Sequence, residues 1–154
     1  MSFINAKRHL EKYNLENRII EFNSSTATVA LAAMALGVTE GEIAKSLSFI
    51  VNGQPVLVII AGDKKIDNHK FKTEFKVKAK MIAPELVEDY IGHRAGGVCP
   101  FGINDNVSVY LDVSLKQYEY IYPACGTANT AVKLTVNDLE KVSNKLKWVD
   151  LCKE

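Results

Sequence analysis

Lys45-Ser46-Leu47-Ser48-Phe49-Ile50-Val51-Asn52-Gly53-Gln54-Pro55-Val56-Leu57-Val58-Ile59-Ile60-Ala61 is the stretch whose pattern decides the fold. Lys45 to Val51 alternates in character, and Asn52-Gly53 suits a type I′ turn, which needs positive φ at both central positions. Val56 to Ala61 is then apolar at every position. Side chains alternate across a strand, so an unbroken apolar run predicts a strand covered on both faces. The stretch reads as a β-hairpin whose second strand lies inside a sheet.

Toward the N-terminus, Phe3, Ala6, Leu10 and Tyr13 share one helical face and predict an opening amphipathic helix. Arg18 to Phe22 reads as a short strand. Ser24, Ser25 and Thr26 offer caps to an Ala-rich helix, Ala27 to Leu36, which Gly37 can end. Thr39 and Glu42 have capping-box spacing for a short following helix. Toward the C-terminus, Asp67 can cap a helix through Phe75, Val77 to Met81 reads as a strand, and Pro84 starts a helix that Gly92 ends. Val107 to Leu111, Tyr118 to Tyr122 and Ala131 to Leu134 read as strands. Thr135 caps a helix to about Lys145, and Trp148-Val149 returns as a last strand. Helices interspersed with hairpin-linked strands predict an α+β fold: one domain over residues 1–154, with a mixed, mostly antiparallel sheet surrounded by helices.

The 154 residues carry 19 Lys+Arg against 18 Asp+Glu, with 47% hydrophobic residues. That composition excludes collagen, a coiled coil and wholesale disorder. A formal charge of +1 argues against strong nonspecific nucleic-acid binding, though not against contact with nucleic acid at one place. No apolar run is long enough to span a bilayer, and the N-terminus lacks a signal-peptide layout. Three cysteines, none in a Cys-x-x-Cys pair, with His9, His69 and His93 scattered, supply no structural zinc set. The expectation is a cytoplasmic, reduced protein without metal or cofactor, a monomer by default.

Three segments invite a chemical reading. Lys45 shares a strand face with Leu47, Phe49 and Val51, where a lysine loses hydration unless it finds a partner or a cleft. It is either a strand-end lysine snorkelling to solvent or a cation at the mouth of a pocket. Arg94-Ala95-Gly96-Gly97-Val98-Cys99-Pro100-Phe101-Gly102 holds three of the nine glycines and one of the four prolines. Such a loop can present backbone N–H groups to an anion or carbonyl oxygen, or can be purely structural. It is neither a P-loop nor a dinucleotide fingerprint. Ala124-Cys125-Gly126-Thr127-Ala128-Asn129-Thr130 is a second small-residue loop, read equally as a wide turn. Cys99 and Cys125 have no assignable acid or histidine partner, and free cysteines are more often buried hydrophobes than nucleophiles. Glu88 and Asp89 are helix neighbours that do not face each other. Between Lys64 and Lys80, seven lysines meet only Asp67 and Glu74, a local excess of five positive charges. This is either a solvated helix face or a phosphate contact.

Ala32-Ala33-x-Ala35-Leu36-Gly37, Ile43-Ala44-Lys45-Ser46-Leu47, Gly96-Gly97-Val98-Cys99-Pro100-Phe101-Gly102, Asp112-x-Ser114-Leu115, Gly126 and Leu134-Thr135-x-x-Asp138-Leu139 occur in an order that resembles the YbaK/EbsC family. This family is also called the prolyl-tRNA synthetase-associated editing domain, and the resemblance covers nearly the whole chain. It implies a partly barrel-like sheet and hydrolysis of the ester joining a wrong amino acid to a tRNA 3′ end. Cys or Ala on tRNA-Pro is the expected substrate, and prolyl-tRNA synthetase the associated partner. It also implies no metal and no protein nucleophile. By the same resemblance, Lys45, Gly97, Pro100 and Gly102 are the catalytic positions. Ser46, Gly96, Val98, Cys99, Phe101, Gly126 and Asn129 then hold the substrate. Two alternatives stay open from the residues: a binding module of the same fold without turnover, and a Cys-dependent hydrolase.

Overall fold

Residues 2–154 are described by a computed structural model. In it α1 (Ser2–Glu11), β1 (Ile19–Glu21) and α2 (Val29–Leu36) precede the hairpin of β2 (Ala44–Val51) and β3 (Gln54–Ala61). There follow α3 (Asn68–Phe75), α4 (Val87–Ile91), β4 (Ser108–Asp112), β5 (Tyr120–Ile121), β6 (Thr130–Val132), β7 (Leu134–Thr135), α5 (Val136–Val142) and β8 (Lys147–Val149). The result is a mixed α+β fold.

The hairpin forms as its turn chemistry demands. Asn52 and Gly53 take φ of 52° and 80°, and the register pairs Val51 with Gln54 and Lys45 with Ile60. β3 lies between β2 and β4 in a four-stranded sheet of order β2-β3-β4-β8. Both faces of β3 are covered. Leu57 and Ile59 pack with Leu10, Phe101 and Leu111, while Val56, Val58 and Ile60 pack with Phe49 and Phe71. Each such side chain contributes about 1.5–3 kcal/mol by leaving water, so the hairpin anchors both layers of the core.

Three strand pairings are antiparallel (β2–β3, β1–β6, β5–β7), whereas β3–β4 and β4–β8 are parallel. The parallel pairs follow from their connections, since α3 and α4 lie between β3 and β4, and α5 between β4 and β8. Backbone bonds carry the array onward past β2: Tyr122 N–H donates to Glu42 O (2.9 Å), and Val132 N–H to Pro123 O (2.9 Å). The strands curl in this way, yet among the described residues they form three sheets and no closed barrel.

Several boundaries differ from the pattern. α2 is capped by Thr28, whose Oγ1 accepts from Leu31 N–H (3.2 Å), and not by Ser24 to Thr26. Thr26 is instead drawn to the loop after β5, donating its N–H to Ala128 O (2.6 Å). Val77 to Met81 is no strand. It meets β2 only through Ile50 N–H to Lys80 O, Ile82 N–H to Ser48 O and one bridge, Phe49 to Met81. Ala131 to Leu134 is split, because Lys133 N–H turns to Arg18 O (3.1 Å) between β6 and β7. α5 stops at Val142 with Asn144 at φ 53°, short of Lys145. A 3-10 turn at Val113–Gln117, absent from the sequence reading, follows Asp112. The buried Asp112 carboxylate accepts from Ser114 N–H (2.9 Å) and Leu151 N–H (2.8 Å), and Ser114 Oγ accepts from Ala61 N–H (3.1 Å). The Asp112-x-Ser114 pair thus knots the ends of β3 and β4 to the C-terminal segment.

Candidate active site

A cavity of about 250 Å³ opens along the outer edge of β2. Ala44, Lys45, Ser46 and Ser48 form its floor, and Thr26 to Val29 with Ala32 wall one side. Met81, Ile82, Pro84 and Val87 face them. Ala95, Gly96 and Val98 come from the glycine loop, and Tyr122, Ala124, Thr130 and Ala131 from the β5–β6 region. The floor exists because β2 is an edge strand paired only in part. Ala44 N–H donates to Tyr122 O (3.2 Å), and Ser48 O accepts from Ile82 N–H (3.0 Å). Strand alternation places the Ser46 N–H and C=O on the same edge, between these two clips. Ser46 Oγ is buried and has no hydrogen-bond partner among the described residues. Leaving a buried hydroxyl unpaired costs about 1–3 kcal/mol, so such groups call for an explanation.

Lys45 is half-buried on this floor and makes no ion pair with any described residue. Burial lowers its pKa from the ordinary lysine value of 10.5, and the nearby Lys65 charge lowers it further, while Asp63 and Glu40 oppose the shift. Among the described residues it is the one charged residue lining the cavity. No Asp, Glu, His or Cys lines the cavity; its other polar groups are hydroxyls and backbone. Burial, with Glu42 nearby, pushes the Tyr122 phenol up, so it stays protonated. The arrangement can hold a small, mostly apolar group beside one cation and a few N–H and O–H donors.

The structure brings Lys45, Ser46, Gly96 and Val98 together at this cavity. Gly97 and Gly126 border a separate cleft with Phe3, Arg94 and Ala95, and hold two loops face to face. Gly126 N–H donates to Gly97 O (3.0 Å), and a Cβ on Gly97 would sit 2.6 Å from Gly126 C. Pro100 and Gly102 border a different cleft, with Asn5, Arg8, Lys12 and Asn144. Gly102 is pressed against α1, where a Cβ would lie 2.5 Å from Asn5 O, and its N–H donates to His9 Nδ1 (3.1 Å). Cys99 and Phe101 are fully buried and line none of these clefts. Beneath the loop, His93 Nε2–H donates to Phe101 O (2.6 Å), and burial lowers the His93 pKa, keeping the ring neutral. Asn129 is exposed, its Nδ2–H donating to Phe22 O (3.1 Å) and its Oδ1 accepting from Thr127 Oγ1 (2.9 Å). Tyr122, Thr26 to Val29, Ile82 and Val87 are wall residues that the sequence reading did not single out. Thr26 reads there only as a candidate helix cap.

Burial pushes the Cys125 and Cys152 thiols up to about 12, and that of Cys99 higher, so all three are protonated at neutral pH. Cys99 Sγ does lie 3.5 Å from His93 Nε2, a histidine partner the sequence did not assign, but that nitrogen already donates to Phe101 O (2.6 Å). The thiol is also fully buried and lines none of the clefts, so the pair is not placed to act as nucleophile and base on a substrate in the cavity. Among the described residues no three His, Cys, Asp or Glu side chains cluster to hold a metal ion. No helix is long and apolar enough to cross a membrane.

Residues 23–142 match the family model described as an aminoacyl-tRNA editing domain. The chain is similar to YwhH of Bacillus subtilis, 46% identical over 155 residues, covering 100% of this chain and 99% of that protein. It is 26% identical over 144 residues to the Enterococcus faecalis protein named "Putative Cys-tRNA(Pro)/Cys-tRNA(Cys) deacylase EbsC", covering 91% and 88%. A proline–tRNA ligase of Levilactobacillus brevis is 26% identical over 111 residues, covering 71% of this chain but 19% of the ligase. Among solved structures, one described as "a putative trans-editing enzyme for prolyl tRNA synthetase" superposes with a TM-score of 0.89 at 28% identity, covering 99% and 98%. Motif order, fold and the extent of the family match agree, and the chain belongs to the aminoacyl-tRNA editing domain family.

Proposed function

We propose that the chain is a trans-editing deacylase that hydrolyses the ester of a mischarged tRNA, with tRNA-Pro bearing Cys or Ala as its substrate. The observation that carries this reading is Lys45: a half-buried cation without an ion-pair partner among the described residues, on the floor of a cavity sized for a small acyl group. In this reading Lys45 grips the phosphate of the terminal adenosine or orients the ester. N–H donors of Gly96, Val98 and Ser46 receive the oxyanion that develops at the carbonyl. Gly97, whose N–H already donates to Arg94 O (3.0 Å), fixes the turn that presents them. Pre-oriented donors of this kind stabilise a tetrahedral intermediate without a strong base, and the ester is already activated. Attack comes from water or from the substrate's own side chain. Pro100 and Gly102 act from the far side of the loop by fixing its path. Gly126, and Asn129 through Phe22 and Thr127, hold the opposing loop. A prolyl-tRNA synthetase would supply the mischarged product.

The test is deacylation of Cys-, Ala-, Ser- and Thr-tRNA by the wild type, Lys45→Ala and Cys99→Ser. Loss on Lys45→Ala with an unchanged circular-dichroism spectrum supports the reading, and undiminished hydrolysis by that variant removes it. A second reading, an aminoacyl- or nucleotide-binding module without turnover, draws on the lack of any Asp, Glu, His or Cys among the described residues of the wall. Binding without hydrolysis across the panel would favour it.

A further inference from the structure

Positive charge on this protein is concentrated in one segment. Seven lysines lie between Lys64 and Lys80, although the whole chain carries only +1, so the remainder is net acidic. The acids within the stretch are already engaged. Asp67 caps α3, accepting from the N–H groups of His69 and Lys70, and Glu74 pairs with Lys147. Lys70 is held by Asp150 and by Cys152 O (2.8 Å). Lys65, Lys72, Lys76, Lys78 and Lys80 are exposed and make no ion pair with any described residue. Lys72 and Lys78 border, with Asn68, His69 and Ala79, a depression of about 390 Å³ that has no acidic residue in its wall.

This segment leads into the wall of the cavity. Lys80 O is clipped to Ile50 N–H (2.9 Å), and the next two residues, Met81 and Ile82, are cavity wall. At the other end of the stretch, Lys65 is close enough to Lys45 for their charges to interact. Unpaired lysines are mobile point charges that bind phosphate without demanding a base sequence. Resting on the reading that the cavity receives a tRNA 3′ end, we propose that Lys65, Lys72, Lys78 and Lys80 form a sequence-independent track for the backbone phosphates of the RNA strand that leads to it.

The test uses the triple variant Lys72→Ala/Lys78→Ala/Lys80→Ala, all exposed and none in the cavity wall. Two quantities are measured across a salt series: the Kd of an uncharged tRNA-Pro transcript, and kcat/KM on mischarged tRNA and on the matching aminoacyl-adenosine. The track predicts at least a tenfold weaker Kd, and a plot of log affinity against log salt shallower by about 2, since each lost phosphate contact removes ~0.7 of slope. It also predicts at least a tenfold loss of kcat/KM on tRNA through KM, none on aminoacyl-adenosine, and recovery when the same three positions carry arginine. Unchanged affinity and slope in the triple variant, or a wild type that binds no tRNA, overturns the track. A wild type that binds tRNA through these lysines but cleaves neither substrate overturns the deacylase reading and leaves the track standing.

Discussion

Replacing Gly97 by alanine tests whether the glycine loop is built for packing between loops. The added Cβ would sit 2.6 Å from both Gly126 C and Thr127 N, and 2.7 Å from Thr127 Cα. These are backbone atoms and cannot rotate away. Carbon contacts relax near ~3.5 Å, so the two loops must part by about 1 Å. That displacement breaks the bond from Gly126 N–H to Gly97 O, now 3.0 Å, worth about 1 kcal/mol net. Overpacking adds about 1–3 kcal/mol, and the stiffer unfolded chain returns about 0.4–1. The net destabilisation is about 1–3.5 kcal/mol, which for a domain of this size lowers Tm by about 2–14 °C. Gly96, next in chain, lines the cavity, and a 1 Å misplacement of reacting groups can cost about 100-fold in rate. Thermal unfolding by circular dichroism together with a deacylation assay reads both effects. Gly96→Ala is the control. It sits at φ +95° with nothing nearer than Ala27 Cβ at 3.4 Å, so it carries backbone strain without forcing the loops apart. A Gly97→Ala protein with the wild-type Tm and rate would refute the reasoning.

Three further outcomes follow from the same geometry. Because burial lowers the Lys45 pKa, the unfolded chain holds that proton more tightly than the native one. Stability from this group therefore rises as pH climbs from the lowered native value toward 10.5, and Lys45→Met should abolish that increment in urea titrations. Enzyme-catalysed deacylation should fall over the same alkaline window, earlier than an ordinary lysine would allow. Cys99→Ser should keep its deacylation rate at 25 °C while losing about 1–3 kcal/mol of stability in denaturant titration, since it buries a hydroxyl where a thiol packed. Asp112→Ala should cost at least about 3 kcal/mol in the same titration, because it strands the N–H groups of Ser114 and Leu151.

What was legible in the sequence was local. Asn52-Gly53 and the apolar run after it specify a hairpin by turn chemistry and alternation alone, and Asp67, Gly92 and Thr135 end or begin helices where they stand. The partner of β3 on its other side was not legible. Val56 to Ile59 pair with Ser108 to Leu111, and a parallel neighbour leaves no turn signature between the two strands. Val77 to Met81 has strand-like alternation, but in the antiparallel register that sets Met81 opposite Phe49 its first residues fall opposite the Asn52-Gly53 turn, where β2 has ended, and only Lys80 O receives a bond, from Ile50 N–H. The glycine loop shows the same limit at the site. A glycine that admits a ligand and one that admits a neighbouring backbone look alike in sequence. Here Gly97, Gly102 and Gly126 face backbone, while Gly96 alone of the four lines the Lys45 cavity. Lys45 did stand out, since a charge on an apolar strand face is an anomaly whatever the fold. The walls opposite it come from segments remote in sequence and could be read only in three dimensions.

The edge of β2 connects these points. An exposed strand edge usually invites another strand, and proteins blunt such edges. This one is closed at one end by Tyr122 and at the other by Lys80 to Ile82, so that only the short run from Ala44 C=O through Ser46 to Ser48 N–H is left open between the two clips. A run so short and bounded at both ends does not admit an extended peptide strand, which needs several paired amides in register. It suits a small carbonyl- or hydroxyl-bearing group, beside a Ser46 Oγ without a hydrogen-bond partner and a Lys45 without an ion pair among the described residues. The same clip at Lys80 joins this floor to the lysine segment. One short stretch of backbone thus sets where a small acyl group can sit and from which side a long anionic chain can approach it.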